Sequence, residues 1–115
     1  MAPLTPPPRI RLSRLRDIGW SVWDPIGLLP AGENWNDPDN LCFADEYDNY
    51  LIAAAGQLRR GIAVAEVTDY LVGIEAEDMA LGETPGCRER ALAVVAAINA
   101  DPQLWTLPEG QDVAV

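Results

Sequence analysis

The sequence predicts an all-α fold, most simply an antiparallel four-helix bundle with a long loop between helices 1 and 2. Three observations predict it. Apolar residues recur at three- and four-residue spacing in four separate stretches. No stretch alternates convincingly with period two, as a half-buried strand does. Proline or glycine punctuates the ends of the periodic stretches. At 115 residues the default is one domain. The expected organisation is a Pro-rich arm over 1–8, a single helical domain over 9–107 and a frayed tail over 108–115.

The arm reads APLTPPP over 2–8, and consecutive prolines forbid a helix there. From Arg9 onward Leu12, Leu15, Ile18 and Val22 lay down the apolar stripe of the first helix. Pro25 stops it, and Asp24 before that proline is pushed out of the right-handed helical region. Residues 25–43 hold Pro25, Pro30, Pro38, Gly27 and Gly32, so they form a long connection. Ile26, Leu28, Leu29, Trp35, Leu41 and Phe43 are expected to pin it to the helices.

The second helix has the clearest signal. Tyr47, Tyr50, Leu51, Ala54 and Leu58 share one face, and Asp45, Glu46 and Asp48 crowd the first turn. Arg59 and Arg60 close the last turn, and Gly61 supplies a left-handed cap. The third helix runs from about Ala63 to Ala80 on Val64, Val67, Leu71 and Ile74, with Gly82 ending it. Thr84 and Pro85 read as the N-cap and first residue of the fourth helix. Its buried face is Ala91, Val94, Val95 and Ile98, and Asp101-Pro102 stops it. Leu104, Trp105 and Leu107 are plausible anchors beyond it.

Eighteen acids against eight bases give a formal charge of −10. All the bases are arginine, and there is no Lys and no His. The acidity argues against nucleic acid as a partner. The lack of His excludes His-ligated zinc, His general bases and Ser-His-Asp triads. No apolar run reaches the roughly 18 residues of a membrane span. Cys42 and Cys87 do not look like a secreted disulfide framework, so reduced thiols and a cytoplasmic location are expected. Cys42, between Leu41 and Phe43, reads as core. Cys87 sits beside Arg88 near a helix start, a setting that can activate a thiol, although packing is the plainer reading.

The charges sit against the helix dipole in two places. Arg9, Arg11, Arg14 and Arg16 crowd the start of the first helix, and Glu75, Glu77 and Asp78 the end of the third. Each such charge costs roughly 0.3–1 kcal/mol if exposed. Alternating helix directions turn this into a pattern. One end of the bundle would collect Asp24, Asp45, Glu46, Asp48, Glu75, Glu77, Asp78 and Glu83. The other would collect Arg9, Arg11, Arg14, Arg59 and Arg60, against Glu66 and Asp101. Arg88 and Arg90 are expected to pair with Glu77 or Asp78. Such a bipolar molecule would steer a basic partner to its acidic end.

Asp45, Asp48 and Asn49 share a helix face at a spacing that suits a hard cation. Favourable N-terminal charge explains them without one, so neither a metal nor a cofactor is expected. Trp20 and Trp23 read first as core and second as an aromatic interface patch. A small pocket between Asp24, Tyr47, Asp48 and Glu75 is the candidate site, with one tyrosine hydroxyl bonded to Asp24. The candidate binding residues are therefore Trp20, Trp23, Asp24, Asp45, Tyr47, Asp48, Glu75 and Asp78, with no catalytic set.

The run Ile18-Gly19-Trp20-Ser21-Val22-Trp23-Asp24-Pro25-Ile26-Gly27, with Asp45-Glu46-Tyr47-Asp48-Asn49-Tyr50 after it, resembles a small uncharacterised bacterial helical family. That family carries a Trp-Asp-Pro-Ile/Leu-Gly turn and an Asp-Glu-Tyr-Asp-x-Tyr helix start. The segment 66–81 also looks like its third helix, so the resemblance covers roughly 9–100. The loop between Gly27 and Asp45 is long for the pattern. The resemblance implies a bacterial cytosolic helical domain and brings no catalytic residues. The expected function is a protein-interaction module of immunity or antitoxin type that masks a basic partner. The alternatives are a carboxylate-based metal-dependent enzyme and a structural module that forms a homodimer.

Overall fold

The computed structural model describes residues 9–82 and 84–106, and within them the chain is mostly helical. The expected arm over 1–8, the tail over 108–115, the anchor Leu107 and the acid Glu83 lie outside the described residues.

The described chain opens and closes on a feature the periodicity did not reveal. Strand β1 (Arg9–Ile10) pairs antiparallel with β2 (Trp105–Thr106), Arg9 opposite Thr106 and Ile10 opposite Trp105. Two residues per strand are too few to show period-two alternation. Arg9 is therefore strand, not the first turn of a helix. A 2.7 Å bond from the Arg11 N–H to the Leu104 carbonyl extends this closure.

Helix α1 (Leu12–Ile18) buries Leu15 and passes into a π-helical turn over Gly19–Trp23. The turn closes with a 2.9 Å bond from the Asp24 N–H to the Gly19 carbonyl. Asp24 then leaves the helix at φ 32°, ψ 60°, a left-handed conformation rather than an extended one. The long connection holds a 3₁₀ helix, Pro38–Phe43. Leu28, Leu29, Trp35 and Phe43 pin the connection to the core as expected. Ile26 and Leu41 do not: Leu41 is 56% exposed. Cys42 is exposed as well and is not core, whereas Cys87 is buried.

Helix α2 (Asp48–Arg59) starts later than its acidic run implies: Asp48 alone of the three acids lies in its first turn, Asp45 and Glu46 fall in the preceding turn and Tyr47 is the N-cap, while Gly61 takes φ 87° beyond its end. Helix α3 (Val64–Gly73) gives way to a second π-helical turn, Ile74–Asp78, instead of continuing to Ala80. Ala80 sits in the left-handed region at φ 57°. Helix α4 (Cys87–Ala100) begins two residues later than Thr84-Pro85 implies. Gly86 at φ 81° breaks the helical path, so Pro85 is not its first residue. Helix α3 packs on α4 and α2, and the first π turn packs on α4. Leu15, Tyr47, Leu51, Leu71, Val94 and Leu104 are the fully buried centre. No helix among the described residues is long and apolar enough to cross a membrane.

Both π turns begin at or beside a glycine, but the two glycines differ. A Cβ on Gly19 would stand 2.5 Å from Leu51 Cδ1, itself buried, whereas one on Gly73 would meet nothing within 4 Å. Gly73→Ala is therefore expected to stabilise by about 0.5–1 kcal/mol. Gly19→Ala is expected to destabilise, because overpacking of about 1–3 kcal/mol outweighs the same backbone gain. Urea midpoints of the two variants should move in opposite directions.

Candidate functional site

Asp24 is where the site begins. Pro25 obliges the helix to end there, and the carboxylate then collects the donors of the following turn. Its Oδ1 accepts from Gly27 N–H at 3.1 Å, Leu28 N–H at 3.0 Å and the Tyr47 hydroxyl at 2.7 Å. Its Oδ2 accepts from Leu29 N–H at 3.1 Å. Tyr47 also accepts from Ile26 N–H at 3.2 Å. One carboxylate thus folds 26–29 back over the end of the first helix.

Tyr47 is buried under the two tryptophans. Its ring centroid lies 4.7 Å from that of Trp20 and 5.3 Å from that of Trp23. Trp20 also packs on Phe43 at 5.4 Å and donates its indole N–H to the Ala44 carbonyl at 3.1 Å. Trp20 and Trp23 are 6% and 3% exposed, so the core reading of both prevails over an exposed patch. Burial first, and the bond donated to Asp24 second, push the Tyr47 phenol far above its ordinary range. A raised folded-state value favours the fold while the phenol is protonated, and this advantage is lost as pH rises past about 10, the unfolded value. Tyr47 phenolate absorbance should therefore appear only together with loss of the helical circular dichroism. Tyr47→Phe should flatten the fall of stability in that alkaline range.

The turn held by Asp24 builds an open cleft of about 450 Å³ against the first helix. Asp17, Trp20, Ser21 and Asp24 form one wall, and residues 29–35 form the other. Trp35 stands across it, donating its indole N–H to Asp17 Oδ1 at 2.8 Å. Glu33 lines the far wall and accepts from the buried Asn40 through Oε1 at 3.1 Å. Three carboxylates and two indoles line the cleft, and no basic side chain does. Asp17 Oδ2 and Glu33 Oε2 accept no hydrogen bond from any described residue.

The neighbouring cations are committed elsewhere. Arg14 forks onto Asp101 at 2.7 and 2.8 Å, and Arg16 forks onto Asp48 at 3.0 and 2.7 Å. The hydrogen bonds from Arg14 hold the Asp101 carboxyl below its ordinary range. Arg16 also lies over the Trp35 ring, 5.4 Å from its centroid.

The expected pocket between Asp24, Tyr47, Asp48 and Glu75 is not assembled. Asp24 and Tyr47 meet directly, but Asp48 turns to Arg16 and Glu75 to Arg90. Glu75 is 1% exposed, with Oε2 2.6 Å from Arg90 Nη2 and 3.3 Å from the Thr84 hydroxyl. The other Glu75 oxygen and Arg90 Nε are buried without a hydrogen-bond partner. Arg88 pairs with Asp69 at 2.9 Å. Neither arginine reaches Glu77 or Asp78, because these face solvent while Glu75 lies on the buried side of the same π turn. Asp45, Glu46, Glu77 and Asp78 are exposed and form no ion pair among the described residues.

Asp17, Ser21 and Glu33 were missed as site residues. Asp17, Trp20, Ser21 and Asp24 fall at i, i+3, i+4 and i+7, which is a legible helical face. The position of Glu33 had no such signal. Among the described residues no three His, Cys, Asp or Glu side chains converge closely enough to hold a metal ion. Comparison of the chain with family models, with curated proteins and with solved structures finds no match.

Proposed function

We propose that the protein is a binding module that docks the basic surface of a partner protein, in the manner of an immunity or antitoxin protein masking its target. The observation that carries this reading is the cleft beside the first helix, where Asp17 and Glu33 each keep one oxygen open and no basic side chain lines the walls. Complementary charge of this kind steers encounter and fixes register more than it adds affinity. Exposed Asp45, Glu46, Glu77 and Asp78, none of them in an ion pair among the described residues, add to the negative field. In this reading the helices form an antiparallel four-helix bundle, these four acids lie toward one end, and the protein acts in the bacterial cytoplasm. Asp48 and Glu75 drop out of the docking face, since each is spent on an internal arginine.

An array of immobilised peptides tests the reading, with arginine-rich, lysine-rich, neutral and acidic sequences probed at 50 and 300 mM NaCl. Retention on basic peptides that falls steeply with salt is the expected result. Equal retention on neutral and acidic peptides, or none on basic ones, would overturn it.

A further inference from the structure

We infer that the outer face of α4, together with the groove along its flank, is the contact surface between two copies of this chain. This inference is independent of the docking reading above.

Helix α4 is apolar on both sides. Its inner side buries Ala91, Val94, Val95 and Ile98 in the core. Its outer side presents Leu92, Ala93, Ala96, Asn99 and Ala100 to solvent, and Leu92 is 45% exposed. Between Arg90 and Asp101 the chain carries no charged residue. A surface helix ordinarily opposes its buried stripe with charged and polar residues, and a helix apolar all round is ordinarily covered on both sides. The short alanine side chains let a second surface come close, and Leu92 stands out from them as a knob.

A matching hollow lies beside it. A groove of about 270 Å³ runs between α4 and the first helix with its π turn, and Ala97, Ile18 and Val22 form its apolar wall. Ala97 stands roughly one and a half turns along α4 from Leu92. Knob and hollow therefore flank one helix of the same chain, and a two-fold contact uses each of them twice.

Charge selects the occupant. The chain carries −10 overall, so two copies repel across most of their surfaces. They repel least here. Arg14 and Asp101 at the groove neutralise each other in their fork, and Arg88 at the start of the helix is paired with Asp69. Glu89 and Asp17 stand only at the edges. A basic partner meets no acid between Arg90 and Asp101, and an anionic membrane is repelled by the chain as a whole. What suits an apolar knob and an apolar hollow is the same surface on a second copy.

Sedimentation velocity of the intact protein between about 5 and 500 µM tests this. The expected result is a mass that rises from one chain to two. The dimer should tighten from about 50 to 300 mM NaCl, because salt screens the repulsion between two chains of charge −10. Docking of a basic partner responds to salt in the opposite sense, so the two readings are separable. Ala96→Glu and Leu92→Glu should each weaken the dimer about thirtyfold or more. Both side chains are exposed, so at dilutions where each protein is a single chain the melting temperatures should match the parent. Ile52→Glu, at an apolar position on α2 that is 40% exposed, should leave the dimer intact. A single-chain mass at every concentration would overturn the inference. So would a dimer that salt weakens, or one that Ile52→Glu loosens as much as Ala96→Glu does.

Discussion

Arg90→Ala is expected to lower the unfolding free energy by about 3–5 kcal/mol. The cost comes from what the substitution leaves behind. Glu75 is 1% exposed, and its ion-pair partner among the described residues is Arg90, at 2.6 Å. Without it, a buried carboxylate keeps only the 3.3 Å bond from Thr84. The intact pair is itself under-bonded, because Glu75 Oε1 and Arg90 Nε have no partners. Replacing both residues together should therefore recover the loss. Glu75→Leu with Arg90→Met is expected to return stability to the parent value or above, since well-packed apolar groups often equal a buried ion pair. Urea unfolding of the parent, the single and the double variant decides it. A single variant within 1 kcal/mol of the parent would show that Glu75 reaches water when freed.

Asp24→Ala is the second large expected effect, at about 3 kcal/mol. Four hydrogen bonds end on this carboxylate, three from backbone amides and one from a buried hydroxyl. Bonds to a charged group contribute roughly 1.5–3 kcal/mol each, and losses at one centre are far from additive. The residue also sits at φ 32°, which Asp and Asn tolerate and Ala resists. Asp24→Asn should therefore be the milder change. The decisive readout is local. Amide hydrogen exchange at Leu28 and Leu29 should accelerate more in Asp24→Ala than exchange at Leu71 or Val94 in the core. Uniform acceleration would mean that Asp24 stabilises the whole fold and does not specifically hold the turn.

How much of this was legible in the sequence depends on how local the cause is. The second helix was readable because its stripe, Asp48 in its first turn and Gly61 agree, each acting within one turn of chain, although Asp45 and Glu46 fall in the turn before it. A tyrosine hydroxyl on Asp24 was readable because Pro25 fixes the end of one helix and the acidic run lies beside the start of the next; that it is Tyr47 follows from its burial under Trp20 and Trp23. The start of α4 was misread because Thr84-Pro85 imitates a cap. The left-handed Gly86 and the bonding of Thr84 to Glu75 and Arg90 outweigh that local preference. The arginine pairings were misread for a related reason: helical spacing does not reveal that a π turn buries Glu75 and exposes Glu77. Half of the cleft wall was visible as the face of Asp17, Trp20, Ser21 and Asp24. The other half comes from a loop whose path is set by bonds to Asp24, Asp17 and Asn40, which no periodicity records.

The short pairing of β1 with β2 has a mechanical meaning. Arg9 faces Thr106 and Ile10 faces Trp105, so the outermost residues of both strands lie at the same edge of the ladder. Tension applied between residues 9 and 106 enters at that edge and parts the pairs one after another, like a zip, instead of shearing them all at once. Beyond it lie the Arg11–Leu104 bond, the fully buried Leu104 and then the Arg14–Asp101 fork, again between the two ends of the chain. A stretching force would thus undo a small clasp, draw Leu104 from the core and break one ion pair before any load reached the packing of α3 on α4.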